Sequence, residues 1–463
     1  MSWGALALAT LGLCGACSFN LGAVPRPGAD GGRDASAGDG SGGDGPHGEA
    51  GACGGPGAPC CTSGPPCDPA TLICSPAQIC LPCLAQMAAG SFFTCARRVD
   101  GTLSCWGAND WGQLGDGGNQ DRPTPGPVSG LPGALEVAAG YEHACARGLD
   151  SSLSCWGRGD DGQLGGGVLV MGPTPTPQPV TGLGNSARQL AAGVAHTCAL
   201  RNDGSVACWG LGDLGQLGNA ASGAGTRSLS PVGVLAVQGS TLLTGAVEVI
   251  AEYKHACARL SGGTLACWGN DDHGQLGNGV AGTGALSARP VLVVSEPGGM
   301  PLAGVGALAA GGLRVCTHRA DDSVWCWGNN DTGQLGNGMS GPGVLSAYPV
   351  EVLTAPGGPP LTGVTQLAGG SGHSCVVRAD ATVVCWGYNG NGELGDGSLV
   401  DRSTPVRVMG LDGVVQVVVG GAHACALRAD GTLWCWGLGT SGQLGNGTMT
   451  GSPTPVQAAW ACH

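Results

Sequence analysis

One motif, Cys, nine residues, Cys-Trp-Gly, recurs seven times without a gap, and each copy runs into a loop ending in Gly-Gln-Leu-Gly (Gly-Glu-Leu-Gly at 392–395). The cysteine pairs are Cys95 with Cys105, Cys145 with Cys155, Cys198 with Cys208, Cys257 with Cys267, Cys316 with Cys326, Cys375 with Cys385, and Cys425 with Cys435. Such self-similarity constrains the fold more than any local propensity, because each unit can bury its apolar side only against its neighbours. Within each copy the pair is centred on a turn such as Asp100-Gly101, Asp203-Gly204 or Asp430-Gly431, with short flanks rich in Val, Leu and Ala. This predicts a β-hairpin with a three-residue loop closed by a left-handed glycine. Counting outward from the turn sets the two cysteines opposite one another. Opposed Cα atoms lie about 4.5–5.5 Å apart, a distance a disulfide bridges, so one disulfide is predicted in each copy. Each closes a loop of roughly ten residues, for a gain of about 2–3 kcal/mol.

The second cysteine is followed by Trp106, Trp156, Trp209, Trp268, Trp327, Trp386 or Trp436, read as packing anchors between units. Two residues before the first cysteine stands His143, His196, His255, His373 or His423, but Phe93 in copy one and Arg314 in copy five. That irregularity argues against a His-Cys-Cys metal site. The histidines read as structural, each hydrogen-bonding backbone within its own unit. The Gly-Gln-Leu-Gly segments lack a following Lys-Ser/Thr or helix, so they read as turns and not phosphate cradles.

Copy three, Gly193-Val194-Ala195-His196-Thr197-Cys198-Ala199-Leu200 through Gly215-Gln216-Leu217-Gly218, resembles the repeat of the regulator of chromosome condensation family nearly position for position. The resemblance covers about residues 85–460. It implies an all-β chain whose residues 85–463 form a seven-bladed β-propeller, and says little about function.

Ahead of the repeats the chain is divided into three segments. Residues 1–16 read as a lipoprotein-like signal peptide: an apolar run at 5–13, too short to span a membrane, then Gly15 and Ala16 before Cys17, the expected lipidation site. No Lys or Arg precedes the run, and Cys14 departs from the pattern; plain secretory cleavage is the rival reading. Residues 17–52, almost purely Gly, Ala, Asp, Ser and Pro after Asn20, read as a flexible tether. Residues 53–84 hold Cys53, Cys60, Cys61, Cys67, Cys74, Cys80 and Cys83, a disulfide-stapled segment whose odd count points to pairing with Cys462. Twenty-four cysteines in all argue for an oxidising compartment, hence an extracytoplasmic location, at the outer membrane or cell surface or secreted.

The net charge is −13, and no run of Lys or Arg could track a phosphate backbone, so nucleic acid is not an expected partner. No catalytic set, cofactor motif or metal constellation emerges. The clearest functional cue is unequal repeat length: first cysteines are spaced 50, 53, 59, 59, 59 and 50 residues apart. The long intervals follow copies three, four and five. About six of their extra residues fall after the Pro-Val strand, as in Ser295-Glu296-Pro297-Gly298-Gly299-Met300 and Thr354-Ala355-Pro356-Gly357-Gly358-Pro359. With four antiparallel strands per copy these insertions emerge on the face of the Asp-Gly turns. Ser295, Glu296, Met300, Thr354 and Pro356 are therefore the candidate binding residues. Neutral lengthening copied by duplication is the alternative. The expected function is a monomeric, exported, surface-anchored, non-enzymatic binding scaffold for a protein or cell-surface polymer, meeting the membrane only through a lipid anchor. Two alternatives stay open: a secreted inhibitor, like the β-lactamase inhibitory propeller that shares this fold, with Trp111 and Tyr141 as anchors, and a guanine-nucleotide exchange factor if the chain is cytoplasmic.

Overall fold

The computed structural model of the chain describes residues 72–74 and 80–460. The signal peptide with Cys17, the tether, most of the cysteine-rich segment and Cys462 lie outside the described residues. Leu72–Cys74 and Cys80–Pro82 form a two-stranded antiparallel pair, and Cys83, which follows it, is disulfide-bonded.

The rest is seven four-stranded antiparallel sheets, with no helix among the described residues. Blade 1 spans Leu84–Pro127, blade 2 Ala134–Pro179, blade 3 Ala187–Gly233, blade 4 Ala246–Leu292, blade 5 Val305–Glu351, blade 6 Val364–Arg407 and blade 7 Val414–Gln457. Each sheet takes its four strands consecutively from one repeat, so no strand is exchanged to close the ring. The first strand of every blade lines a central channel of about 460 Å³.

The predicted hairpin is present at every blade centre. In blade 1 Arg97 pairs with Leu103 across the loop, Gly101 has a φ of 87°, and the paired cysteines face each other. All seven predicted intra-blade disulfides are formed. Cys95 is bonded to Cys105, Cys145 to Cys155, Cys198 to Cys208 and Cys257 to Cys267. Cys316 is bonded to Cys326, Cys375 to Cys385 and Cys425 to Cys435. Their Cα–Cα separations are 4.0–4.1 Å, somewhat tighter than the spacing of about 4.5–5.5 Å expected for opposed residues in general. Each pair sits at a non-hydrogen-bonded site, where the two backbones approach most closely.

The hydrophobic core is distributed as seven layers, one between each pair of adjacent blades. Between blades 3 and 4, for instance, Trp268 packs with Leu217, Val234, Val249 and Ala258. All seven repeat tryptophans are fully buried. At roughly 25 cal/mol per Å² and some 200 Å² per ring, each contributes about 5 kcal/mol of gross burial. Each indole N–H also donates to the carbonyl of the Gln or Glu in the preceding blade's Gly-Gln-Leu-Gly segment. Trp156 binds Gln113 at 2.9 Å, Trp327 binds Gln275 at 3.0 Å, and Trp436 binds Glu393 at 2.8 Å. Trp106 of blade 1 binds Gln443 of blade 7 at 3.0 Å, so the last seam repeats the other six.

The Gly-Gln-Leu-Gly segments are turns, as expected, and the second glycine of each is required. Gly277 has a φ of 65°, and a Cβ there would sit 2.7 Å from the Trp327 indole nitrogen. Only glycine meets both demands.

The histidine expectation needs correction. The side chains of His143 and His423 bond across to the next blade and not within their own, and the rings of His255 and His373 are buried without a hydrogen-bond partner among the described residues. His143 Nε2 meets Thr197 Oγ1 at 2.9 Å, and His423 Nε2 meets Thr94 Oγ1 at 2.8 Å across the 7–1 seam. Arg314 takes the same route in blade 5, donating to Ser374 Oγ (2.8 Å) and to the His373 carbonyl. Phe93 in blade 1 packs with Ala144 and Trp156 of blade 2. The position plugs the inter-blade gap, which explains why a ring, a guanidinium and an imidazole can all fill it.

Candidate functional site

Strand order gives the disc two distinct faces. One carries the Asp-Gly hairpin turns and the connections between blades; the other carries the connections from first to second and from third to fourth strands.

The three insertions emerge on the hairpin face, as expected. Each folds into a miniature hairpin pinned by an isolated bridge: Leu235 with Leu242, Val294 with Pro301, and Leu353 with Pro360. Their ladders are equivalent. Ala236 N–H donates to Thr241 (2.8 Å), Ser295 to Met300 (3.3 Å) and Thr354 to Pro359 (2.9 Å), while Leu243, Leu302 and Leu361 turn back inward and are buried. Arg289 of blade 4 further donates to the Gly239 carbonyl at the tip of the first hairpin (2.6 Å). The result is three similar hairpins on consecutive blades 3, 4 and 5. Ser295, Glu296, Thr354 and Pro356 are exposed, and Met300 stands 79% exposed. With Leu242, these tips present apolar and proline side chains around a single carboxylate.

Trp111 and Tyr141 lie on the opposite face. Trp111 is half-buried beneath the Arg158 guanidinium, 5.2 Å from its centroid, and Tyr141 meets Phe92 edge-on at 5.9 Å. Arg158 is in turn paired with Glu142 (3.0 Å) and Asp160 (2.6 Å), hydrogen bonds that hold its pKa above the usual range. The two aromatics are thus held in neighbouring structural clusters.

Three glutamines of the channel wall tie adjacent blades together. The Gln86 amide accepts from Val137 N–H and donates to Val137 O, both at 3.1 Å, one blade away. Gln189 does the same to Val249, and Gln366 to Val417. Glu136 accepts from Leu190 N–H (3.0 Å) and pairs with Arg147 (3.2 Å); Glu248 pairs with Arg259 (2.8 Å). No cluster of three or more His, Cys, Asp or Glu able to hold a metal occurs among the described residues.

Two carboxyls did not stand out in the linear reading. Asp271 is buried in blade 4 where blades 1, 5 and 6 carry Asn109, Asn330 and Asn389; like them it accepts from a loop N–H, here Leu276 at 3.0 Å. Burial pushes its carboxyl up to about 7. Glu252, at the narrow end of the channel, is likewise raised by burial to about 7. Both are visible only when the seven copies are aligned and the odd residue at each position is sought.

Comparison with known proteins agrees with this architecture. The chain is 30% identical over 313 residues to the ultraviolet-B receptor UVR8 of Arabidopsis thaliana, covering 67% of this chain and 66% of the receptor. It is 29% identical to the mitochondrial RCC1 domain-containing protein RUG3 of the same plant, covering 49% and 48%. The chain therefore spans just under two thirds of the length of the first relative and about half of the second. In fold it is similar to yeast RCC1 (Prp20), as seen bound to Kap60, with a TM-score of 0.63 and 22% identity over 73% of this chain and 78% of that one. Human WBSCR16 gives 0.62 and 24% over 74% and 86%. The RCC1-like domain matches residues 171–463, and RCC1 repeats match residues 100–147, 85–113 and 135–163. With seven repeats forming seven blades and this match across more than half its length, the chain belongs to the regulator of chromosome condensation (RCC1) repeat family.

Proposed function

We propose that this RCC1-like propeller is an exported, surface-anchored binding scaffold without catalytic activity, which engages a protein or cell-surface polymer through the hairpin ridge over blades 3–5. The carrying observation is the ridge itself. Three consecutive blades depart from the minimal connection used between blades 6 and 7 (Val408–Val414), and all three do so on one face with a defined hairpin. Loops held on a rigid scaffold are where recognition residues gather. Proline at the tips of the second and third hairpins (Pro297, Pro356, Pro359) limits the entropy lost on contact. The non-enzymatic reading draws on the channel, where Gln86, Gln189 and Gln366 are engaged in inter-blade hydrogen bonds. Seven buried disulfides and the apolar N-terminus ending at Cys17 support export.

Exchange-factor activity is the second reading. It draws on a bovine relative described as a secretion-regulating guanine nucleotide exchange factor, 28% identical over 51% of each chain, and it requires a cytoplasmic protein.

Intact mass of the mature protein with and without reduction separates the two: a lipidated N-terminus at Cys17 with oxidised cysteines supports the scaffold, and an unprocessed chain with free thiols refutes it. For the ridge, labelled propeller is titrated onto envelopes of the source cells. Saturable binding is expected for the natural protein and loss for a variant with all three hairpins shortened to the blade 6 connection. Undiminished binding by that folded variant would remove the ridge from the proposal.

A further inference from the structure

The position that carries the channel glutamines holds an amide or a carboxyl in every blade but one: Gln86, Glu136, Gln189, Glu248, Gln366 and Gln416, against Ala307 in blade 5. Blades 1, 3 and 6 use it as a two-point clamp, in which the carboxamide oxygen accepts the N–H and the carboxamide nitrogen donates to the C=O of one residue in the next blade. Glu136 and Glu248 supply the acceptor half, to Leu190 and Leu308 N–H. Leu367 of blade 6 stands in the same register as the clamped Val137, paired with Val376 as Val137 is with Ala146, so its N–H and C=O point toward blade 5. There they meet only Ala307. Among the described residues no side chain is bonded to either group.

The seam stays open at this point. Ala307 is exposed, whereas its six counterparts are half-buried, and Gly306 beside it stands where blades 2, 4 and 7 carry Leu135, Val247 and Val415. His318, paired with Ala307 in register, is turned to the hairpin loop by its bond to Asp322 Oδ1 at 2.9 Å. Two residues deeper the blades close again, since a Cβ on Gly369 would sit 2.5 Å from the Ala310 carbonyl oxygen. The notch opens into the channel of about 460 Å³, which is blind: beyond it the inner strands narrow to a cavity of about 20 Å³. The mouth is on the hairpin face, where the first strands begin.

We propose that the notch between blades 5 and 6 is a recognition pocket for a primary carboxamide, the end of a glutamine or asparagine side chain of a partner protein seated on the hairpin face. The molecule supplies the template, because Gln86 bonds both groups of Val137 at 3.1 Å. A carboxamide fits because it presents a donor and an acceptor on one side of a plane; a carboxylate lacks the donor, and an ammonium or guanidinium lacks the acceptor. The acetamido group of a sugar is a trans amide with N–H and C=O on opposite sides, so it reaches only one of the two Leu367 groups. An extended backbone finds no passage along the strand edge, given the contact at Gly369. Leu367 is 7% exposed, and a ligand that serves only one of its groups leaves the other buried and unpaired, which makes the pocket selective. Of a protein and a cell-surface polymer, the notch therefore selects the protein. The proposal rests on the hairpin face being the binding face and narrows the partner engaged there.

The test uses random peptides displayed on phage, selected on the full oxidised chain after depletion on its Ala307→Gln variant. Selection should fix glutamine or asparagine at one position, and the synthetic peptide should shift the Leu367 amide resonance. Its affinity should fall at least about tenfold when its carboxamide is replaced by a carboxylate, and equally on Ala307→Gln or Ala307→Leu. Ala307→Gln should also raise the Tm by roughly 1–3 °C, because its own carboxamide reaches Leu367, whereas Ala307→Leu, which only fills space, should not. The variant with shortened hairpins should keep peptide binding, so loss of envelope binding there reports on the ridge and the Ala307 variants report on the notch. Recovery of no peptide that tells the natural protein from Ala307→Gln overturns the proposal. So does a selected peptide without a required carboxamide, an unmoved Leu367 resonance, or an Ala307→Gln protein no more stable than the natural one.

Discussion

The third residue of the central hairpin loop is where the repeats separate strict from tolerated chemistry. Gly101, Gly204, Gly263 and Gly431 occupy the left-handed region there, but Ser151 (φ 64°), Asp322 (φ 67°) and Ala381 (φ 60°) adopt it too. A side chain in that conformation costs about 1–2 kcal/mol, partly offset by the smaller entropy an alanine loses on folding. Ala381→Gly should therefore stabilise the protein by about 0.5–1 kcal/mol, read as a higher urea midpoint at unchanged slope. A lower midpoint would mean that the loop holds Ala381 by contacts that repay the strain. This turn was legible because Asp-Gly between apolar flanks is a local signal. The partners of His143 and His423 were not, because Thr197 and Thr94 lie 54 and 329 residues away. Glu252 was hidden for a different reason: its neighbours Ala251 and Tyr253 are unremarkable, and only the glycines at the six equivalent positions expose it.

The element that holds the fold is the layer between blades, where tryptophan, glycine and a backbone carbonyl interlock. At the 5–6 seam Trp386 donates to Gln334 O at 3.1 Å, and a Cβ on Gly336 would sit 2.8 Å from the same indole nitrogen. Trp386→Phe leaves a buried carbonyl without its donor, which costs about 1–3 kcal/mol beyond the lost ring volume. Gly336→Ala adds a left-handed alanine and a clash, so it should cost at least about 2 kcal/mol. Of the two atoms the new methyl strikes at 2.8 Å, the indole nitrogen is absent from phenylalanine, whereas Val352 Cγ1 remains. The double variant should thus be less destabilised than the sum of the two, by about 0.5–2 kcal/mol in a denaturation cycle. Strict additivity would place the cost of Gly336→Ala in the backbone and the Val352 contact and not in the indole. The blade count, hairpins, disulfides and insertion face followed from the repeat, since all are set within one copy or by its length. The seam was legible only as anchoring tryptophans, since its bonds join different copies.

For the molecule as a whole, the same seams determine the response to acid. Five histidines are buried at them, and burial holds His143 and His255 down at about 3, His196 and His423 at about 4, and His373 well below its usual value. Unfolded, each titrates near 6.5. Below that pH the unfolded chain binds protons that the folded chain refuses, so the stability these neutral rings carry is complete above about 6.5 and lost as the pH falls toward 4. Asp271 and Glu252 act in the opposite sense. Raised to about 7, they are protonated in the folded state first, and they favour folding as the pH falls through the same window. Burial raises Glu136, Asp161 and Glu393 as well. Five large histidine shifts outweigh two large carboxyl shifts, so the propeller should be most stable near neutral pH or just above and weaken steadily from pH 6.5 to 5. His255→Gln removes one titrating ring and should flatten that slope by up to about 1.4 kcal/mol per pH unit, whatever it costs at pH 8. Denaturant midpoints at pH 8, 6.5, 5.5 and 5 measure both quantities. A variant whose midpoint falls in parallel with the natural protein would show that His255 takes no part, and that acid sensitivity arises away from the 4–5 seam.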